Sequence, residues 1–408
     1  MRRRIGMLLL CVCLFGVFGC TEDPMENVEM DDYDGNFATQ STILQKGAET
    51  EQGIYWDYGG LILYMDKDSQ AVTVSCSKPN CTHLNEDCDG RIGDTVSSLA
   101  SLQEYAGKIY YCVRGFAASD DNYEVKEVLQ LYRMEPDGTG RELVRECEIP
   151  LGSMLGGPNI ILHRGRIYCL TSAEIGIGDP EDENFYVTTV YVLYAMDMAG
   201  DGEAREIWRS DGENMSMPGP LYAEGNTVYM RGYVGDDDNT ETTVYACNIE
   251  EETIEPLPIS VAHPVNGNRI QGHIWKYMRS GDGMYEYDLE NLEERQILDL
   301  SSYQGEAQAA SILNGVWIVG YTNSVLNSNH PPEDAGTQWI YTEEGKLAAT
   351  LPALEIEDHL RAGWTDATDQ YAIYCVYSYE GNYIEFYTVD LTDPTNAEWV
   401  QSAVIDLR

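Results

Sequence analysis

The residues best equipped for chemistry lie in one short run, Cys76-Ser-Lys-Pro-Asn-Cys81-Thr-His83-Leu-Asn-Glu-Asp-Cys88. Three thiols and one imidazole fall within 13 residues, spaced C-x4-C-x-H-x4-C. Cys and His are the ligand types of tetrahedral zinc, and a Cys3His set fills all four positions. Thiolates also suit Cu(I) and iron–sulfur centres. The spacing is not that of the common zinc knuckles or ribbons. Two further readings stay open. A disulfide, Cys76 to Cys88 or Cys81 to Cys88, would leave one thiol over, and the group could also be free or redox-active thiols. If a metal binds, all four residues are spent on it, so its role is to staple a polar loop that cannot fold alone. A catalytic zinc would need an open position.

Nothing else in the chain has comparable spacing. There is no G-x-S-x-G elbow, no P-loop and no H-E-x-x-H. His163, His263, His273, His330 and His359 are scattered and read as surface or packing residues. The acidic stretches Asp236-Asp237-Asp238-Asn239 and Asp179-Pro180-Glu181-Asp182-Glu183-Asn184 offer oxygen ligands for Ca²⁺. Neither matches an EF-hand, and they read as solvated inter-strand loops. No catalytic residue is assigned. With 25 Lys+Arg against 69 Asp+Glu and a net charge of −44, nucleic acid is set aside as a partner, because phosphate contacts need clustered basic side chains. The 43% hydrophobic content is enough to bury a core.

The elements that must position the Cys/His run are strands. One strand type reads Gly107-Lys108-Ile109-Tyr110 and recurs as Gly165-Arg166-Ile167-Tyr168, Gly225-Asn226-Thr227-Val228-Tyr229, Gly272-His273-Ile274-Trp275, Gly315-Val316-Trp317 and Tyr371-Ala372-Ile373-Tyr374. A second type centres on Leu131-Tyr132, Leu193-Tyr194, Val244-Tyr245, Met284-Tyr285, Ile340-Tyr341 and Phe386-Tyr387, with an extra early copy at Leu63-Tyr64. β-Branched and aromatic residues bounded by Gly and Asp are strand signals. Asp137-Gly138, Asp201-Gly202 and Glu344-Gly345 suit tight hairpins after the second type. The second-type Tyr run from 64 to 387, seven copies spaced on average about 54 residues apart, close to a four-stranded propeller blade. The expected fold is therefore all-β: a single β-propeller of seven blades, with six or eight as the alternatives that the uneven spacing leaves. The Tyr pattern reads as packing between blades. The last segment, Glu398 to Leu407, is expected to supply strands completing the first blade. Cys112, Cys169 and Cys375 sit beside first-type aromatics and read as small buried hydrophobes in separate blades, too far apart for disulfides.

In outline the chain resembles the TolB-like and YWTD-like propellers, through Leu131-Tyr132-Arg133-Met134-Glu135-Pro136-Asp137-Gly138 and the fragment Trp364-Thr365-Asp366. Over nearly its whole length after the leader it is similar to a group of Gram-positive, mostly clostridial, lipoproteins that lack an assigned activity. These join a lipobox, a Cys/His cluster after the first blade, and a propeller. The resemblance implies an architecture and an address, and no activity.

The N-terminus supplies that address. Arg2, Arg3 and Arg4 precede an apolar run, Met7 to Phe18, of signal-peptide length and too short to span a bilayer comfortably. Val17-Phe18-Gly19-Cys20 resembles the bacterial lipobox, which makes Cys20 the lipidated first residue of the mature protein. Two acyl chains anchor stably where one does not. Cleavage removes three Arg and no acid, taking the net charge from −44 to −47. The expected division is a lipoprotein signal peptide at 1–19, a lipidated acidic flexible tether at 20–50, and a propeller at 51–408 with the Cys/His insertion at 76–88. The protein is then extracytoplasmic and lipid-anchored to the cell membrane. Two functions are weighed. One is a non-enzymatic module binding a glycan, peptide or protein through propeller loops. The other is a glycosidase-like propeller using channel carboxylates, for which two carboxylates suffice. Zinc in the Cys/His loop is the one cofactor expected, and the hydrolase domain of prolyl oligopeptidases is not.

Overall fold

The computed structural model describes residues 45–406 apart from 59, 84–87, 93–100, 119–124, 151–158, 178–184, 211–215, 235–240, 258–260, 263–264, 272, 280–281, 302–306, 314–315, 322–332, 358–359, 368–369 and 379–382. The leader, Cys20, most of the tether, both acidic loops, and His263, His330 and His359 lie outside the described residues. Among the described residues the first strand, β1 (Gln45–Lys46), falls within the stretch assigned to the tether. Blade 1 is β2 (Ala48–Glu49), β3 (Gly53–Tyr58), β4 (Leu61–Asp66) and β5 (Val72–Val74). Blade 2 is β6 (Ser101–Tyr105), β7 (Lys108–Ala118), β8 (Val125–Met134) and β9 (Glu142–Glu148). Blade 3 is β10 (Asn159–His163), β11 (Arg166–Ile177), β12 (Tyr186–Asp197) and β13 (Arg205–Arg209). Blade 4 is β14 (Ser216–Glu224), β15 (Thr227–Val234), β16 (Glu241–Asn248) and β17 (Thr253–Pro256), with β18 (Val261–Ala262) also pairing β16. Blade 5 is β19 (Val265–Gln271), β20 (Ile274–Arg279), β21 (Gly283–Asp288) and β22 (Glu293–Asp299). Blade 6 is β23 (Ala307–Leu313), β24 (Val316–Tyr321), β25 (Gln338–Thr342) and β26 (Leu347–Leu351). Blade 7 is β27 (Leu360–Ala367), β28 (Tyr371–Ser378), β29 (Tyr383–Asp390) and β30 (Val400–Asp406). Each blade is an antiparallel meander, and the seven form one β-propeller.

The first strands of successive blades touch one another around the ring, so they are innermost and the fourth strands form the circumference. The second strands are sandwiched between blades on both faces. That is why they read as continuous apolar runs such as Ile-Tyr-Tyr-Cys-Val rather than as alternation. Their side chains still alternate in direction. Ile109, Tyr111 and Val113 pack toward blade 1, and Tyr110 and Cys112 toward blade 3. The core is accordingly divided into seven clusters, one at each blade–blade interface. The outer strands are polar, as in Glu-Leu-Val-Arg-Glu-Cys-Glu (β9) and Glu-Glu-Arg-Gln-Ile-Leu-Asp (β22), and those charges discourage edge pairing with other chains.

Six of the seven repeated Tyr keep one register: each lies on a third strand and faces the preceding blade. In five of these blades a bulge to the fourth strand falls just before the Tyr, as between Leu131 and Tyr132. The early copy is out of step. Leu63 packs toward blade 7, and Tyr64 turns to blade 2 and meets Tyr55. A one-residue offset moves a side chain to the other face of a strand, so Leu63-Tyr64 is shifted by one position relative to the other six copies.

Two further expectations are corrected. The C-terminal segment does not complete blade 1. β30 is the fourth strand of blade 7, and the parallel pairing of β1 with β27 adds Gln45–Lys46 to that blade's sheet. The interface of blades 7 and 1 is sealed by Trp56, Leu63, Ile373 and Phe386. Cys112 and Cys169 are offset by one position in their strands, because Cys112 stands opposite Leu131 and Cys169 opposite Tyr194, and they share one interface cluster with Cys147. Cys112 lies on the face of blade 2 that meets blade 3, and Cys169 on the opposing face, so the one-residue offset between them turns them toward one interface.

Candidate metal centre

The Cys/His loop interrupts a strand. β5 starts blade 1's fourth strand with Val74 opposite Leu63, and the Ser75 amide donates to the Ile62 carbonyl at 2.9 Å. Continued, that register would set Cys76 opposite Leu61. Leu61 instead faces Arg91, so the fifteen residues Cys76 to Gly90 are looped out. The strand then resumes: the Ile62 amide donates to the Gly90 carbonyl at 2.7 Å and the Ile92 amide to the Gly60 carbonyl at 2.9 Å. Gly90 is required at this closure, because a Cβ there would lie 2.7 Å from Val74 and 2.8 Å from the Ser75 carbonyl oxygen. Within the loop, Asn80 and His83 both take left-handed backbone (φ 60°). Side chains pay about 1–2 kcal/mol for that conformation. Such backbone persists where the surroundings dictate it, commonly at functional sites.

The four predicted ligands are brought together. One ligand atom each of Cys76, Cys81, His83 and Cys88 lies within 4.8 Å of all the others, and His83 Nδ1 is 3.2 Å from Cys88 Sγ. A tetrahedral zinc with Zn–S near 2.3 Å sets its sulfurs about 3.8 Å apart, so an ion fits after a small inward movement. The group can hold a metal ion. None of the described cysteines is in a disulfide.

The two shifted thiols of the group pull in opposite directions. Burial opposes ionisation of Cys76, but the backbone amides of Lys78 and Asp89 and the neighbouring thiols outweigh it and hold its pKa below the ordinary value. Burial pushes Cys88 up to about 12, against the Gly90 amide. Three thiolates, a neutral imidazole and a divalent ion sum to −1. Cations gather around this centre in an otherwise acidic chain. Arg91 donates to the His83 carbonyl at 3.3 Å, and Lys78 pairs with Asp89 at 2.9 Å. Arg141, from the turn between β8 and β9, donates to the carbonyls of Asp89 (3.0 Å) and Arg91 (2.6 Å). Its guanidinium also lies 5.3 Å from the ring centres of Tyr111 and Tyr132. Sequence reading did not single out Arg91, Gly90 or Arg141. Arg141 lies 50 residues beyond Arg91, and no local pattern marks it.

The remaining candidates separate. His163 is fully buried and bonds the Gly225 carbonyl at 2.8 Å across the interface of blades 3 and 4, whereas His273 is exposed. Burial holds the thiols of Cys112, Cys169 and Cys247 well above their ordinary value, which suits inert core residues. Asp57 on β3 is the one described carboxyl pushed up to about 7. Burial raises it, and a 3.2 Å bond from the Gly60 amide offsets only part of this.

No family model matches the chain, and no curated protein matches it. Solved structures do. Acylaminoacyl peptidase of Pyrococcus horikoshii matches at TM-score 0.43 and 10% identity over 82% of this chain and 50% of that one. Oligopeptidase B of Leishmania major matches at 0.46 and 9% over 89% and 48%. Sqt1 of Saccharomyces cerevisiae matches at 0.41 and 10% over 91% and 87%. The chain thus spans about half the length of the two peptidases.

Proposed function

We propose that this chain is an extracytoplasmic β-propeller lipoprotein, anchored through Cys20, that serves as a non-enzymatic binding module. Its rigid ring presents loops to a glycan, peptide or protein ligand, and a zinc ion stiffens its rim. The observation that carries this reading is the convergence of Cys76, Cys81, His83 and Cys88 on one point. Four protein donors leave a tetrahedral ion no position for substrate, so the ion's work is structural. His83 would supply an imidazole and the three Cys thiolates, with Arg91, which donates to the His83 carbonyl, offsetting the excess negative charge. The leader Arg2–Arg4, the apolar run and Gly19-Cys20 support the anchoring.

Two measurements test the proposal. Elemental analysis of the chain purified anaerobically without chelator should find about one zinc per chain, absent from a Cys81→Ser/His83→Ala variant. A metal-free protein carrying a Cys76–Cys88 or Cys81–Cys88 disulfide would defeat the zinc reading. Cys20→Ala should move the protein out of the membrane fraction, and its continued anchoring would defeat the lipoprotein reading.

A further inference from the structure

Around the circumference, the fourth strand of one blade meets the third-to-fourth-strand turn of the next. Arg145 on β9 donates to the carbonyls of Asp197, Ala199 and Gly202 in blade 3. Arg205 on β13 pairs with Glu252 in blade 4's turn at 2.5 Å. The Ile297 carbonyl on β22 presses on Gly345 in blade 6's turn, where a Cβ would lie 2.5 Å from that oxygen. Pro352, just after β26, accepts from the Trp399 indole of blade 7 at 2.8 Å. In each of these seams the contact comes from the fourth strand itself or from the residue that follows it.

Blade 1 is built differently. β5 has three residues and stops at Val74. The carbonyls that blade 2's turn grips through Arg141 belong to Asp89 and Arg91, on the far side of the loop. Only the return of the chain at Gly90 to Ile92 puts them there. Cys76 stands at the point of departure and Cys88 two residues before the strand resumes. One ion bound by both fixes the two ends of the excursion relative to each other.

We propose that the metal centre is a latch: occupancy restores the interrupted fourth strand of blade 1 and thereby closes the seam between blades 1 and 2. This rests on the metal reading above. Cross-linking a loop of about 15 residues restricts its open states by roughly a hundredfold, and an ion gripping Cys76 and Cys88 acts on a segment of that length. Arg141 is a positioning residue that passes the ordering to blade 2. The Tyr55 hydroxyl bonds the Pro136 carbonyl at 3.1 Å, and Gly138 lies against Ser75, so the same turn already rests on the loop's base.

The test is amide hydrogen exchange on the full chain, metal-free and with Zn²⁺ alone added, beside a parallel measurement of bound zinc. The amides of Ile62 and Ile92, which donate to Gly90 and Gly60, should exchange roughly a hundredfold more slowly with zinc. The Leu300 amide in blade 5, which donates to Asp282, should not change. In Arg141→Ala, which removes no ligand, zinc should still bind and still slow Ile62 and Ile92. It should no longer slow the amides of Glu135 and Gly138 in blade 2's turn. One equivalent of bound zinc with Ile62 and Ile92 unaffected would overturn the latch and leave the metal site standing. Absence of zinc binding would overturn the reading beneath it. An undiminished zinc effect on the blade 2 turn in Arg141→Ala would overturn the role of Arg141.

Discussion

Asp57→Asn is expected to stabilise the protein above neutral pH and to leave it unchanged in acid. Asp57 lies on β3 opposite Ile62, and strand alternation turns it, with Tyr55, toward the interface of blades 1 and 2. Burial raises its folded pKa from 3.8 to about 7. A raised carboxyl binds its proton more tightly in the folded state. Its neutral form therefore carries no penalty below the unfolded value near 3.8, stability falls as pH rises from there, and the full cost is reached above about 7. A displacement from 3.8 to about 7 converts to about 4 kcal/mol as an upper bound. Water reaching the part-exposed side chain lowers the observable effect to about 1–2 kcal/mol. Asparagine keeps an oxygen to accept the Gly60 amide and removes the titration. Urea midpoints of both proteins measured from pH 4 to 8.5 should coincide at the acid end. They should then diverge between pH 4 and 7 in favour of the variant. Parallel curves, or a wild type that gains on the variant as pH rises, would refute a buried, destabilised carboxylate.

Gly90→Ala should cost about 1–3 kcal/mol, because its Cβ meets the Ser75 carbonyl at 2.8 Å and the backbone must shift. It should also weaken zinc binding, readable by competition with a chromophoric chelator, although Gly90 is no ligand. Gln103→Leu should lower stability by about 2–3 kcal/mol in chemical denaturation. The Gln103 amide bridges the Ile160 carbonyl (3.1 Å) and the Leu162 amide (3.0 Å), joining the innermost strands of blades 2 and 3, and the substitution leaves both unpaired. Alkylation of the native zinc-free protein should label the thiols of Cys76 and Cys81 and spare Cys112, Cys169 and Cys247 until it unfolds. The former are part-exposed and the latter are buried with raised pKa values.

Local pattern was enough for the strands, for a propeller of six to eight blades and for the Cys/His cluster. A second strand packed on both faces must be apolar throughout, so Ile109-Tyr110 and its relatives announce themselves within a few residues. Four side chains of metal-ligand type within 13 residues stand out by composition alone, so Cys76, Cys81, His83 and Cys88 were legible as a group, and the fold brings their ligand atoms within 4.8 Å. What sequence could not reach was whatever depends on register or on the next blade. Leu63 and Tyr64 are equally apolar, and only strand pairing decides which faces blade 7 and which blade 2. Cys112 and Cys169 meet because opposite faces of neighbouring blades are pressed together. β30 joins blade 7 because β29 offers it an edge, and the two residues of β1 pair with the same sheet at β27. Arg141 reaches the loop across a seam that exists only once blades 1 and 2 have packed. Composition and spacing act over a few residues and so reside in the sequence. Which surfaces meet is settled by burial over the whole ring, and that belongs to the tertiary structure.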